Sequence, residues 1–272
     1  MDKIFNYSLS DIKKHVKVKE GWGAYFVIDN FLNTSLFNKL CNQFNSLEDK
    51  RSIYTGIGGP RVWRRNQPQG NSFTVGGAGS KIGGFKKLFD KSEDWKNFIQ
   101  KLYSDKCYEF IHNIFSDTNI YKQTVLSEDI KDGVIGCKLS SHTNNYGDII
   151  HPDNTNKVLS YLLYLDPYQW DSNSSGGTDF WEVTDKIIPY DESPLSMDSE
   201  LRKGKDSNKP HSLKLEEANK VNKFLSVDFK PNRFIGFIRT DKSYHSIPPR
   251  VLPKGVTRDC LQINVWNKNR LQ

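Results

Sequence analysis

The sequence predicts a mainly β fold, a barrel or a jelly-roll sandwich, with helices in its N-terminal part. Three observations predict it. From residue 134 onward, short segments rich in β-branched and aromatic residues follow one another, separated by Gly, Pro, Asn and Asp. Between Lys86 and Phe115 the residues Trp95, Phe98, Ile99, Leu102, Tyr103 and Phe110 recur instead at spacings of three and four, the period of an amphipathic helix. A chain of 272 residues that is 36% hydrophobic and 12% aromatic can fill one large core, so it reads as a single domain over 1–272. Within it we read a helical support region over 1–130, a jelly-roll core over 131–268 and an insertion at 184–221.

The elements follow in order. AYFVIDNFL (24–32) reads as a strand running into a turn. Asn33 or Thr34 then caps a helix over 35–46, with Leu36, Leu40 and Phe44 on one face. Residues 52–84, rich in Gly, Ser, Asn and Arg, read as a long loop with short strands. The helical stretch from Lys86 to Phe115 should pack on one face of a sheet. The strands are expected at 134–140, 148–153, 158–166, 177–183, 223–229, 233–239, 243–248 and 258–266. Between the fourth and fifth, residues 184–221 are polar and charged and contain Pro189, Pro194 and Pro210. That composition resists core burial, and the position places the insertion at the rim of the jelly roll's open end, as a lid or recognition element.

Composition narrows the function classes. No apolar run approaches the roughly 18 residues of a membrane span, and MDKIFNYSLSDIKKH has no apolar core of a secretory signal. Cys41, Cys107, Cys137 and Cys260 are scattered, with no CxxC pair, so reduced, buried thiols in a cytoplasmic protein are expected and a zinc site is not. The net charge of +7 and pI near 9.0 admit an anionic partner. The charges form no basic helix or tail, however, so nucleic acid is not the expected partner. The tightest cluster is Arg61, Arg64 and Arg65 around Trp63.

Chemistry concentrates at His151-Pro152-Asp153. In an extended chain residues i and i+2 point the same way, so an imidazole and a carboxylate can converge on one ion from one strand end. A second histidine from a distant strand completes a two-His, one-carboxylate set, the arrangement that suits non-haem Fe(II) with open positions. Of the six histidines, His15 and His112 lie in the helix-rich half and His211 in the polar insertion. His245, late in the β-rich half, is the third ligand we favour. His142, in SSHTNNYG just before the motif, is its competitor, with a supporting or surface role as the plainer reading.

These residues sit in an ordered run that resembles the prolyl-4-hydroxylase branch of the Fe(II)/2-oxoglutarate oxygenases, a cupin-like superfamily, and the resemblance implies a double-stranded β-helix, a jelly roll. The run is Tyr146-Gly147, HPDN (151–154), LLYLD (162–166), Trp170, Gly176-Gly177, then PNRFIGF (231–237), SYHSIPP (243–249) and RDCLQIN (258–264). The resemblance covers about residues 24–46 and 134–266. It implies His151, Asp153 and His245 as iron ligands, with 2-oxoglutarate and O₂ as co-substrates and ascorbate as an optional reductant. It implies that Arg258, thirteen residues after His245, pairs with the far carboxylate of 2-oxoglutarate, in preference to Arg250 or Lys254. It places Tyr164 against the same carboxylate, with Tyr146 and Ser160 as weaker contacts.

Asp153 separates this chain from related halogenases, which lack the carboxylate, so hydroxylation is the implied outcome, with succinate and CO₂ as by-products. The substrate it implies first is a prolyl residue of a peptide or protein. A small molecule or sugar derivative is the alternative, with Trp63 and Arg64 as candidate substrate contacts. AlkB-type demethylation fits poorly, because that group repeats an Arg six residues after its cofactor Arg and Asn264 stands there. A non-catalytic cupin-like binding module is the remaining reading.

Overall fold

The β-branched and aromatic segments pair into two antiparallel sheets. In the computed structural model the described residues are 4–47, 56–58, 72–76, 82–143, 146–154, 156–165, 176–183, 221–248, 252 and 256–267. Their strands are β1 (Lys17–Lys19), β2 (Gly23–Ile28), β3 (Gly56–Gly58), β4 (Ser72–Gly76), β5 (Gly133–His142), β6 (Asp148–His151), β7 (Lys157–Tyr164), β8 (Thr178–Val183), β9 (Val221–Val227), β10 (Phe234–Ile238), β11 (Tyr244–Ile247) and β12 (Arg258–Asn267). The larger sheet has the order β1-β2-β10-β7-β12-β5-β4-β3 and the smaller β6-β11-β8-β9.

From β5 onward the chain crosses between the sheets. β5, β7, β10 and β12 lie in the larger sheet, and β6, β8, β9 and β11 in the smaller. This winding is the double-stranded β-helix that the resemblance implies, and each of the eight expected segments coincides with one of these strands to within two residues. The N-terminal region adds strands as well as helices. β1 and β2 extend the larger sheet beyond β10, and β3 and β4 extend it beyond β5.

The 86–115 stretch is three helices, Lys86–Phe89, Glu93–Leu102 and Asp105–Asn113. Serines break it. Ser92 Oγ accepts from the Trp95 amide and Ser104 Oγ from the Cys107 amide, so each serine starts a helix. The apolar period runs on across both caps, which is why periodicity alone reads one helix. Asn33, not Thr34, caps helix Thr34–Asn45. Trp95, Phe98, Ile99 and Leu102 pack with Leu159, Leu163, Leu261 and Ile263 in one buried cluster, so the helices cover the outer face of the larger sheet.

A second cluster fills the space between the sheets with Trp22, Tyr164, Phe180, Phe229, Ile235 and Phe237. Gly176-Gly177 has a steric origin here. Gly176 has φ +100°, and a Cβ on Gly177 would meet Val227 O at 1.6 Å, so only glycine lets the chain enter β8 this close to β9. All four cysteines are free and buried. No helix among the described residues is long and apolar enough to cross a membrane. The 184–221 insertion, apart from Val221 at the start of β9, lies outside the described residues, as do Trp63, Arg64 and the neighbouring Arg61 and Arg65.

Candidate metal centre

β6 ends at His151, and the register of β11 sets His245 directly opposite it. Asp153 follows two residues later. One donor atom from each of the three side chains lies within 4.8 Å of the other two. The two imidazole rings are 4.6 Å apart between centroids and inclined at 46°. His142, the competing histidine, is on β5 and outside this group.

The surroundings orient His245 and Asp153. His245 Nδ1 lies 3.1 Å from the Ser243 carbonyl and donates to it, which leaves Nε2 as the lone-pair nitrogen, 3.9 Å from Asp153 Oδ2. Ser160 Oγ donates to Asp153 Oδ2 at 2.5 Å, and Lys157 Nζ bonds Oδ1. The Asp153 backbone carbonyl accepts from Arg239 Nε at 3.2 Å. Burial of Asp153 would raise its pKa. The positive Lys157, the two histidines and the Lys157 hydrogen bond outweigh that, and hold it as a carboxylate far below the usual range.

The triad lies at a cavity of about 120 Å³ between the sheets. The larger sheet contributes Lys138, Ser160, Leu162, Gln262, Asn264 and Trp266 to its wall, and the smaller sheet contributes Thr178 and Ile247 beside the histidines. Tyr164 reaches this space through Thr178, whose Oγ1 is 2.7 Å from the phenol oxygen. Burial pushes the Tyr164 pKa up to about 12, against the opposing influence of Arg258.

Arg258 and Tyr146 lie elsewhere, and neither lines the cavity. The Arg258 guanidinium donates to the carbonyls of Gly176 and Gly177 and to His142 Nδ1 at 2.9 Å, and stacks over Tyr164 and Phe229 at 5.2 and 4.9 Å from their ring centroids. Tyr146 stacks flat on His142, 4.0 Å between centroids. Burial first, then Arg258 and Lys138, drives the His142 pKa well below its ordinary value, so its neutral ring can accept a hydrogen bond from Arg258.

Sequence reasoning missed Lys138, Lys157, Gln262, Asn264 and Trp266 as cavity residues. A signal existed for some of them. Lys138 is the one charge in VIGCKLS, and Gln262 and Asn264 are polar residues at alternate positions of the otherwise apolar LQINVW.

No protein-family model matches the sequence, and no curated protein matches it. Solved structures do resemble it. One is a prolyl hydroxylase from Trichoplax adhaerens, in complex with a hypoxia inducible factor oxygen degradation domain peptide fragment, at 15% identity and TM-score 0.45, over 90% of this chain and 84% of that one. Another is a Pseudomonas putida prolyl-4-hydroxylase at 10% identity and TM-score 0.45, over 96% of this chain and 97% of that one. A third is HygX from Streptomyces hygroscopicus with nickel, 2-oxoglutarate and hygromycin B bound, at 9% identity and TM-score 0.45, over 92% and 84%.

Proposed function

We propose that this chain is a non-haem Fe(II)- and 2-oxoglutarate-dependent dioxygenase that hydroxylates an unactivated C–H bond. The observation that carries the reading is the convergence of His151, Asp153 and His245 at the cavity between the two sheets. Two imidazoles and one carboxylate suit divalent iron and leave positions for a chelating keto acid and O₂. The residues fit that ion. His245 commits Nδ1 to a backbone carbonyl, so its free lone pair faces Asp153. Asp153 is held anionic in a buried position, where an unpaired carboxylate would be costly. When bound, iron supplies the oxidising chemistry that couples decarboxylation of 2-oxoglutarate to hydroxylation.

The chain's own residues bind and orient. Ser160 and Lys157 fix the plane of the Asp153 carboxylate, and Ser243 fixes the His245 ring. Phe237 packs against the His245 ring at 4.8 Å between centroids and, with Leu162 and Ile247, gives the cavity a dry wall. Tyr164 offers a hydroxyl, through Thr178, to an acid bound in the cavity. The substrate we infer is a prolyl residue of a peptide or protein, because the ordered motifs are those of the prolyl-4-hydroxylase branch. A small molecule or sugar derivative is the alternative. Trp63 and Arg64 are the proposed substrate contacts.

The test is succinate release from 2-oxoglutarate with Fe(II) and O₂, screened against proline-rich peptides and a metabolite panel. Fe(II) binding is measured anaerobically in parallel. Iron-dependent succinate is expected, and His151→Ala and His245→Ala should each lose metal binding. Undiminished iron binding in both variants would sink the ligand assignment. Absence of succinate under every condition would point to the non-catalytic binding module.

A further inference from the structure

We propose that Arg239, directly after β10, is a positioning residue of the metal centre. Its guanidinium ties the main chain at Asp153 to the turn that carries His245, and so fixes two of the three ligands against each other. The inference rests on the metal-ligand reading above. It adds a residue that is not a ligand and does not line the cavity.

Two buried arginines bracket β10, Arg233 before it and Arg239 after it, 8% and 6% exposed. Each pairs with a more exposed aspartate and with one backbone carbonyl. Arg233 uses all three nitrogens. Nε and Nη2 donate to the Asp29 carboxylate at 2.5 and 2.9 Å, and Nη1 donates to the Asp228 carbonyl at 2.9 Å. That carbonyl is only five residues away, in the approach to β10 itself. Arg239 reaches much further. Its Nη1 pairs with Asp241 Oδ1 at 2.7 Å, while Nε donates at 3.2 Å to the carbonyl of Asp153, 86 residues away in the chain. Its Nη2 is buried with no partner among the described residues.

The turn over 239–243 gives Arg239 a firm base. Ser243 Oγ accepts from the Thr240 amide and donates to the Thr240 carbonyl, both at 2.9 Å. Thr240 Oγ1 donates to the Trp22 carbonyl at 2.6 Å, and Trp22 Nε1 donates to the Tyr244 carbonyl at 3.1 Å. From one end of this turn the Ser243 carbonyl holds the His245 ring. From the other end Arg239 holds Asp153.

Asp153 needs such a hold more than the histidines do. The pairing of β6 with β11 fixes His151 and His245, but residues 152–154 belong to no strand. Ser160 and Lys157 grip the Asp153 carboxylate from β7, whereas Arg239 grips its backbone. A planar guanidinium with two nitrogens committed in different directions has little freedom to turn. The unmet Nη2 lowers stability, so selection for stability alone would favour the closed arrangement of Arg233.

The test uses the full chain and Mn(II), with affinity read by calorimetry and folding by urea denaturation. Charge and clamp predict opposite signs. Removing a cation from the surroundings of a dication should by charge alone tighten binding. Removing the clamp should loosen it. Arg239→Met should weaken Mn(II) binding by at least about tenfold, as for other residues that orient a metal ligand. Arg233→Met removes the matched arginine at the other end of β10, about 20 Å along the strand at the usual rise per residue. It should lower the denaturation midpoint, yet leave Mn(II) affinity within about twofold, since distant sites act independently. Should Arg239→Met fail to fold, Arg239→Lys carries the test. It keeps the charge but has one nitrogen where the clamp uses two, and should still bind Mn(II) at least about threefold more weakly. Wild-type or tighter Mn(II) binding in a folded Arg239 variant, or equal weakening in Arg233→Met, overturns the assignment and leaves the metal site standing. A wild-type chain that binds no Mn(II) overturns both.

Discussion

β7 and β12 present two faces from one backbone, made of opposite material. Toward the helices they turn Leu159, Tyr161 and Leu163, and Leu261, Ile263 and Val265, all within the large apolar cluster. Toward the smaller sheet they turn Ser160 and Leu162, and Gln262, Asn264 and Trp266, the cavity wall. The period of two sorts them. The outer face removes apolar surface from water and stabilises the fold. The inner face buries donors that the fold alone would not select. Trp266 Nε1, for example, is buried with no hydrogen-bond partner among the described residues. An unmet buried donor lowers stability, which fits a wall kept for a ligand.

The largest effect that tests this contrast is expected outside. Leu261→Ala opens a cavity under the helices and should lower unfolding free energy by about 2–5 kcal/mol, read by urea denaturation. The folded fraction should still bind metal as wild type does. A loss of metal affinity in the folded protein would show that the two faces are not separable.

The next effect is inside. Ser160→Ala removes the hydroxyl that steadies Asp153, and such partners of a metal ligand typically contribute about 10–100-fold in metal affinity. Titration with Mn(II) should show that loss with little change in denaturation midpoint. A midpoint shift as large as that of Leu261→Ala would mean that the inner face also carries the fold.

The smallest effect lies in the helical layer. His112 is buried, its Nδ1 3.1 Å from the Tyr121 hydroxyl and its Nε2 without a partner among the described residues. Tyr108 packs on its ring, and Asp129 acts against the shift. Burial lowers its pKa from 6.5 to about 4. The unfolded chain therefore takes up a proton between pH 6.5 and 4 that the folded chain refuses. Its stabilising contribution is complete above 6.5 and declines as pH falls. At pH 5 about 1–2 kcal/mol should be lost. His112→Asn should flatten that part of the stability–pH curve, and a variant with the wild-type slope would place the sensitivity in another group.

The helical layer and the cavity also differ in how far they could be read from sequence. Trp95, Phe98, Ile99 and Leu102 declare their buried face by spacing alone, because a helix brings residues three and four apart together whatever lies around it. The serines that divide the stretch gave no such signal, since a cap depends on a backbone turn and not on a periodic position. In the cavity, the proposed ligand pair His151 and Asp153 was legible because residues two apart on an extended chain share a direction. Lys157 was not legible. It reads as an ordinary surface lysine until the opposite sheet covers it.

The sequence by itself determined the strands of the β-helix and the pairing of an imidazole with a carboxylate on one strand end. These depend on local geometry, which residue type and spacing specify. Only the tertiary structure decided which distant residues meet. The antiparallel register of β6 and β11 sets His245 against His151, and that of β5 and β12 sets Lys138 beside Gln262. Thirteen residues separate His245 from Arg258 along the chain. That count does not say how deep the arginine enters the sheet, because depth follows from strand register, and register is a property of the pairing and not of either strand alone.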